Sequence, residues 1–390
     1  MFDPIKASKE IKDSYIDYIT TTFDMADTDY EREFRKELQT DGMVASGPFL
    51  DIGGSYETGH TLRELIQAQK ASILFENLEP VAEKERELKL DRPLYQHQET
   101  AMLKADKGEN LVVTTGTGSG KTESFLLPII NHLLREQEAG TLSAGVRAII
   151  IYPMNALAND QMKRMRALFK NYPQICYGVY NGNTEHTQSK ALAEYHRTYH
   201  DEAGEPIDPA PNEIISREVM QERPPHILIT NYSMLEYMML RPKDDAVFSG
   251  AKLKFIVLDE AHIYKGATGM ETSLLMRRLR ARISEPDSVQ YILTSATLGG
   301  PDADGDILSF AEKLCGVAFQ RSGIIRSTEK RPAMEDFLDF APALFEELQR
   351  SPDISSVLAR YHADFAPGGS EGEKLYALFL HSRLFALLRK

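Results

Sequence analysis

Residues 111–130, LVVTTGTGSGKTESFLLPII, decide how the rest of the chain is read. The β-prone run LVVT enters a loop containing Gly116, Gly118 and Gly120, and a segment of helical period starts near Lys121. Glycines let backbone N–H groups turn inward around phosphate oxygens, and a helix N-terminus adds partial positive charge. Lys121 is placed to reach the β- and γ-phosphates, and the Thr122 hydroxyl to hold Mg²⁺. The strict phosphate-loop pattern wants glycine at 115, where this chain has Thr115. A ligand-free turn would explain the glycines but not a lysine followed by threonine. Only the later glycines must approach phosphate closely, so the first position tolerates a small residue with ordinary backbone angles. The reading is an ATP site formed by Thr115, Gly116, Thr117, Gly118, Ser119, Gly120, Lys121 and Thr122.

A second element, VLDEAH (257–262), closes another apolar run with two acids. Asp259, at the expected strand end, is placed to bind Mg²⁺, and Glu260 to orient and deprotonate an attacking water. An Asp-Glu pair after a strand also begins ordinary helices. What singles it out is its place 138 positions after Lys121, on another strand of the same expected sheet. His262 has a weaker claim, since a lone histidine more often packs or hydrogen-bonds than reacts.

Around these motifs, short β-rich runs alternate with helical patterns: RAIIIY (147–152), ICYGVY (175–180), HILIT (226–230), FIVLD (255–259) and YILTS (291–295). Strands apolar on both faces and separated by helices imply a parallel sheet covered on both sides, with ligands bound beyond the strands' carboxyl ends. The fold expected is α/β, a doubly wound parallel sheet flanked by helical segments. Residues 1–90 read as a mostly helical accessory region, with stripes Ile11, Tyr15, Tyr18, Ile19 and Leu62, Leu65, Ile66, Leu74. A glycine-rich break, GPFLDIGGSYETG (47–59), divides them, and the charged run EKERELKLDRP (83–93) ends the region. Residues 91–325 form the nucleotide domain, in which the polar insertion between Asn183 and Arg223 reads as a surface excursion. Residues 326–390 read as a helical connecting or accessory segment.

The composition, 42% hydrophobic and 26% charged, suits a soluble globular protein. No apolar run approaches the roughly 18 residues of a membrane span, and the acid-bearing start is no secretory signal. Cys176 and Cys315 are too few for a disulfide framework, so a reduced, cytoplasmic setting is the default. The net charge of −13 argues against a protein coated in basic surface. It is concentrated in residues 1–90, net −8, against −5 for the remainder, so a local nucleic-acid cleft fits the later part.

TGTGSGKT, DEAH and Ser295-Ala296-Thr297 together resemble motifs I, II and III of superfamily 2 DEAD/DEAH-box helicases, specifically the first RecA-like domain. In that family the first loop position is often a small residue, which accounts for Thr115. The resemblance implies that His262, Ser295, Ala296 and Thr297 couple hydrolysis to movement. LYQHQ (94–98) resembles the Q motif, where Gln98 would read the adenine edge and Tyr95 pack nearby. YPMNALANDQ (152–161), VYNGN (179–183) and ITNYSMLEY (229–237) stand where segments holding nucleic-acid phosphates stand. They imply contacts at Pro153, Asn155, Asn181, Gly182, Thr230 and Asn231, affording affinity without sequence reading. DNA is the expected track, and the motifs suit RNA equally.

The resemblance covers some 60% of the chain, and PMNALANDQ, ITNYSMLEY and DEAH in combination resemble large bacterial helicases, including MrfA-like repair helicases and those of phage-defence loci such as Druantia and DISARM. One departure stands out: no second glycine-rich strand–helix series and no Q-x-x-G-R-x-x-R pattern follow Thr297. The sequence is expected to stop ahead of a second RecA-like domain, which becomes an implied partner. The expectation is the ATP-binding half of a helicase or translocase. A restriction-type translocase motor and an ATP-switched binding module without turnover are the competing readings. Arg277, Arg278, Arg280 and Arg282 make a basic face expected to be solvated or packed against a neighbouring domain rather than to form a DNA site.

Overall fold

The computed structural model describes residues 4–23, 26–40, 42–46, 56–78, 88–116, 118–201, 204–297, 299, 301–330, 338–351 and 353–383. Thr117 of the phosphate loop, residues 47–55 of the glycine-rich break and residues 83–87 of the charged run lie outside them. The chain forms two compact units, Ser55–Lys330 and, separately, Met1–Gly54 with Arg331–Lys390.

The smaller unit begins with α1 (Pro4–Thr22) and α2 (Thr28–Gln39), the latter capped by the Asp27 carboxylate. The helical period expected at Ile11, Tyr15 and Tyr18 is present, but these side chains are exposed, and Ile16 and Thr20 are the buried ones. Spacing alone identifies a helix, and what packs on it decides which face is inside.

The larger unit opens with β1 (Thr58–Thr61), paired antiparallel with β2 (Pro93–Tyr95), and α3 (Leu62–Gln67). Leu62, Leu65 and Phe75 of this opening join the main core, so the unit starts well ahead of residue 91. Its centre is an eight-stranded parallel sheet made of β3 (Leu111–Thr114), β4 (Ala148–Tyr152), β5 (Tyr177–Val179), β6 (Glu213–Ile214), β7 (Ile227–Asn231), β8 (Phe255–Leu258), β9 (Gln290–Ser295) and β10 (Ile324–Arg326). The spatial order is β10-β3-β9-β8-β4-β7-β5-β6.

Because side chains alternate along a strand, each strand feeds two cores. Val113, Ile150, Ile229, Val257 and Ile292 face one layer, with α4 (Gln96–Asp106), α5 (Lys121–Glu138) and α6 (Asn155–Phe169). Val112, Ile149, Leu228, Ile256 and Leu293 face the other. The insertion supplies α7 (Gln188–Thr198), β6 and α8 (Arg217–Glu222), and α9 (Tyr232–Leu240) and α10 (Asp245–Phe248) follow. The second layer is completed by α11 (Gly266–Arg282) and α12 (Asp304–Cys315). No described helix is long and apolar enough to cross a membrane.

One expectation changes. The insertion is more than a surface excursion: β6 extends the sheet and Ile214 and Met220 enter the core. One of its acids and one of its rings also hold Arg166 of α6, which meets the buried Glu213 at 2.8 Å and lies 4.2 Å from the Tyr199 ring centre. The arginines of α11 are spent within the unit, Arg278 on Glu236, Arg280 on Asp287 at 2.6 Å, Arg282 on Asp245, and Arg277 on the Lys313 carbonyl at 3.2 Å.

In the smaller unit, α13 (Pro342–Arg350), α14 (Ile354–Arg360) and α15 (Glu371–His381) enclose Leu344, Val357, Leu358 and Leu378. The capping box at Ser370 and Glu373 starts the last helix.

Gly178 tests the seating of the insertion. A Cβ there would lie 2.5 Å from the Ile214 carbonyl oxygen and 2.7 Å from Met220 Cε. Gly178→Ala should cost about 1–3 kcal/mol through overpacking, read as a lowered urea midpoint at constant m. An unchanged midpoint would mean that β6 and α8 do not pack against this strand.

Candidate active site

Three adjacent strands end within two residues of one another. Thr114 of β3 is level with Ser295 of β9, and Leu258 of β8 with Leu293. The Thr115 N–H continues the ladder to the Ser295 carbonyl at 3.1 Å. Thr115 keeps an ordinary negative φ, since Gln69, Glu260 and His362 are the only non-glycine residues with positive φ among those described. Its hydroxyl accepts from Ser119 Oγ at 2.7 Å, which makes threonine a usable first loop residue. Gly118 and Gly120, at φ 77° and 74°, are the positions that require glycine.

The loop's carbonyls are held from outside. His97 Nε2 meets the Ser119 carbonyl at 2.9 Å, and Gln98 Nε2 donates to the Gly120 carbonyl at 3.0 Å. Burial holds the His97 imidazole below its usual pKa, so it stays neutral and donates through Nε2. In a planar trans peptide the C=O and N–H point in opposite directions. The N–H groups of Gly120 and Lys121 therefore face the hollow of the loop, at the start of α5, where an anion is favoured.

The acids lie opposite. Lys121 Nζ is 3.1 Å from Glu260 Oε1, with both side chains largely buried. Asp259 accepts from the Thr294 hydroxyl and, at 3.0 Å, from the Glu260 N–H. Burial raises the Asp259 carboxyl above the usual range, while the Thr294 bond pulls the other way. Glu260 sits in the left-handed region at φ 49°, a conformation that costs on the order of 1–2 kcal/mol for a side chain with a Cβ. That backbone twist turns its carboxylate toward Lys121. His262 Nδ1 is 3.3 Å from Glu260 Oε2 and 3.1 Å from Ser295 Oγ, and Ser295 Oγ accepts from the Thr297 N–H at 3.1 Å. An unbroken polar chain thus links the phosphate loop, DEAH and Ser295-Ala296-Thr297.

The donors suit Mg²⁺: a carboxylate at Asp259 and a hydroxyl at Thr122, both hard oxygens, with room left for phosphate and water ligands. Among the described residues there is no cluster of three or more His, Cys, Asp or Glu that would make a self-sufficient metal cage.

The expected nucleic-acid residues gather at the carboxyl ends of β4, β7 and β5, apart from the acids. Asn231 Nδ2 donates to Asn155 Oδ1 at 2.7 Å, and Asn231 Oδ1 caps α9 through the Met234 N–H at 2.7 Å. Thr230 is buried and its hydroxyl donates to the Tyr180 carbonyl at 2.7 Å, so it braces the neighbouring loop. Asn181 is buried too, while Gly182 is exposed and Pro153 half-buried.

Sequence reading gave no role to four residues that shape these sites. Thr294 holds Asp259, and His97 holds the loop. Tyr56 pairs with the rings of Tyr95 and His97 at 5.5 and 5.9 Å, and its hydroxyl oxygen lies 3.1 Å from where a Cβ on Gly116 would stand. Arg217 reaches the 181–182 turn. Thr294 and His97 stood inside quoted motifs; Tyr56 and Arg217 come from a glycine-rich break and an insertion that carry no local signature. Gln98, expected to read adenine, is also engaged at home, accepting from the Tyr95 N–H at 2.9 Å.

The DEAD/DEAH box helicase family profile matches residues 95–203 and 204–304. Among curated proteins, the Druantia protein DruE of Escherichia coli (strain UMEA 4076-1) is 32% identical, over 83% of this chain and 22% of its own length. The uncharacterized ATP-dependent helicase YprA of Bacillus subtilis (strain 168) is 31% identical, over 55% of this chain and 24% of its own. The chain thus spans about a quarter of the length of these relatives or less. The solved structure of the DEAD-box helicase Mss116 bound to ssRNA and UDP-BeF shares the fold, with a TM-score of 0.50 at 16% identity, over 80% of this chain and 55% of that one.

A nucleotide that takes Lys121 from Glu260 should stabilise the folded chain. ATP with Mg²⁺ is expected to raise the melting temperature, and Lys121→Ala to weaken binding by about tenfold or more through loss of a charge-assisted phosphate contact. An equal thermal shift for both proteins would remove the nucleotide assignment.

Proposed function

We propose a function from one premise: this chain belongs to the DEAD/DEAH box helicase family. It is the ATP-binding half of a superfamily 2 helicase or translocase that couples ATP hydrolysis to movement along nucleic acid. The observation that carries the proposal is the polar chain from Lys121 through Glu260 and His262 to Ser295, three motifs joined at the ends of three strands. The setting proposed is phage defence, to which the identity with a Druantia protein lends support, or DNA repair.

In this reading Lys121 and the loop amides bind the β- and γ-phosphates, and Thr122 and Asp259 hold Mg²⁺, which neutralises charge on the phosphate oxygens. Glu260 orients the attacking water and takes its proton. Asn155, Gly182 and Asn231 present helix starts and amides to a DNA backbone, an arrangement that suits RNA as well. The described residues hold one RecA-like sheet, so the arginine that meets the γ-phosphate from across the cleft comes from a second RecA-like domain. Such arginines are worth about 10³–10⁵ in turnover, roughly 4–7 kcal/mol of barrier.

Phosphate release tests this directly. The 390-residue chain should hydrolyse ATP near the detection limit, with or without single-stranded DNA. Supplying a second RecA-like domain should restore DNA-stimulated turnover, which Glu260→Gln should then abolish while ATP binding persists. Robust DNA-stimulated hydrolysis by residues 1–390 alone would contradict the half-motor reading.

A further inference from the structure

Residues 183–223 leave and rejoin the sheet between two of the proposed strand-contact segments. Arg217, the first residue of α8, is 7% exposed. Its Nη2 donates to the Asn181 carbonyl at 2.9 Å and the Gly182 carbonyl at 3.4 Å, and its guanidinium lies 5.3 Å from the Tyr180 ring centre. Peptide planarity gives this contact a second effect. Holding the Asn181 carbonyl inward aims the N–H of Gly182 outward.

The rest of the turn is already engaged. The Asn181 N–H goes to Thr184 Oγ1 at 2.9 Å, the Asn183 N–H to Asn181 Oδ1 at 2.9 Å, and the Thr184 N–H to the Asn181 carbonyl at 3.2 Å. Gly182 N–H has no acceptor among the described residues, and a Cβ at Gly182 would meet nothing within 4 Å. A single unpaired amide on an open turn, with its neighbouring carbonyls drawn onto a buried cation, is a donor presented to an anion.

We propose that Arg217 is a positioning residue for nucleic-acid binding. It fixes the Asn181–Gly182 peptide so that Gly182 N–H meets a backbone phosphate, and it does so without touching the strand. This rests on the nucleic-acid reading given above. The arginine is itself well seated: the Arg217 and Glu218 N–H groups donate to the Glu185 and His186 carbonyls, both at 3.0 Å. Beneath it, the Tyr180 hydroxyl is fixed by the buried Asp244, which also accepts from Gln221 Nε2 at 2.7 Å. Lysine keeps the charge but not the planar fork or the stacking on Tyr180.

The experiment titrates a fluorescent oligo-dT with the 390-residue chain at several salt concentrations, comparing wild type with Arg217→Lys and Arg217→Gln. Melting temperature and its shift with ATP are measured alongside. Arg217→Lys should bind about fivefold more weakly, the loss of one hydrogen bond's net contribution, and Arg217→Gln more weakly still. The ATP-induced shift should be unchanged. So should the slope of affinity against salt, because a neutral amide releases no counterion. Equal affinities would overturn the proposal. So would a slope flattened by about 0.7, the mark of a direct arginine–phosphate contact, or a parallel loss of the ATP shift, the mark of general disruption. If wild type binds no single strand, the nucleic-acid reading fails first, and this proposal with it.

Discussion

The candidate site depends on the parallel register of three strands. With β3, β9 and β8 ending within two residues of one another, residues far apart in sequence, Lys121, Glu260 and Ser295, come within reach of one polar chain. A slip of one residue in any strand would exchange its two faces, placing Val113 in the layer built for Val112. The two apolar cores therefore do more than stabilise the sheet. They fix the register, and the register fixes the distance between a cation and the acid it faces.

A second constraint works at finer scale, and it appears at both proposed ligand sites. A carbonyl gripped by a buried side chain forces the amide of the same peptide to point the other way. His97 and Gln98 do this for the phosphate loop, and Arg217 does it for the 181–182 turn. In each case backbone N–H groups line the anion-facing surface, joined at the phosphate loop by the Lys121 ammonium. This explains how a chain of net charge −13 can offer sites for polyanions without a basic surface.

Much of this was legible in the sequence because strong local patterns carried it. Six strand runs and the glycines at 118 and 120 follow from β-propensity, alternation and positive φ, and each motif lands at a strand end. The short edge strands β6 and β10 were not legible, since two or three residues carry no period. The exposed side of α1 was not either, because Ile11, Tyr15 and Tyr18 have the spacing of a core face without a partner that buries them. Tyr56 and Arg217 were hidden for a related reason: their importance lies in tertiary contacts to Gly116 and Asn181, which no neighbouring residue announces. Thr230 shows the converse, a residue inside a motif whose hydroxyl turns inward to brace the next loop.

The central claim is that loop, lysine and acids form one Mg²⁺-dependent nucleotide site. Titrating a fluorescent ATP analogue with the protein, first with EDTA and then with Mg²⁺, tests it most directly. Thr122 and Asp259 offer only two oxygen-donor side chains, so the metal should bind through the phosphates as well. Affinity is then expected to rise about tenfold or more when Mg²⁺ is added, since two site oxygens engage only through the ion. Affinity unaffected by Mg²⁺, or no binding in either condition, would contradict the account.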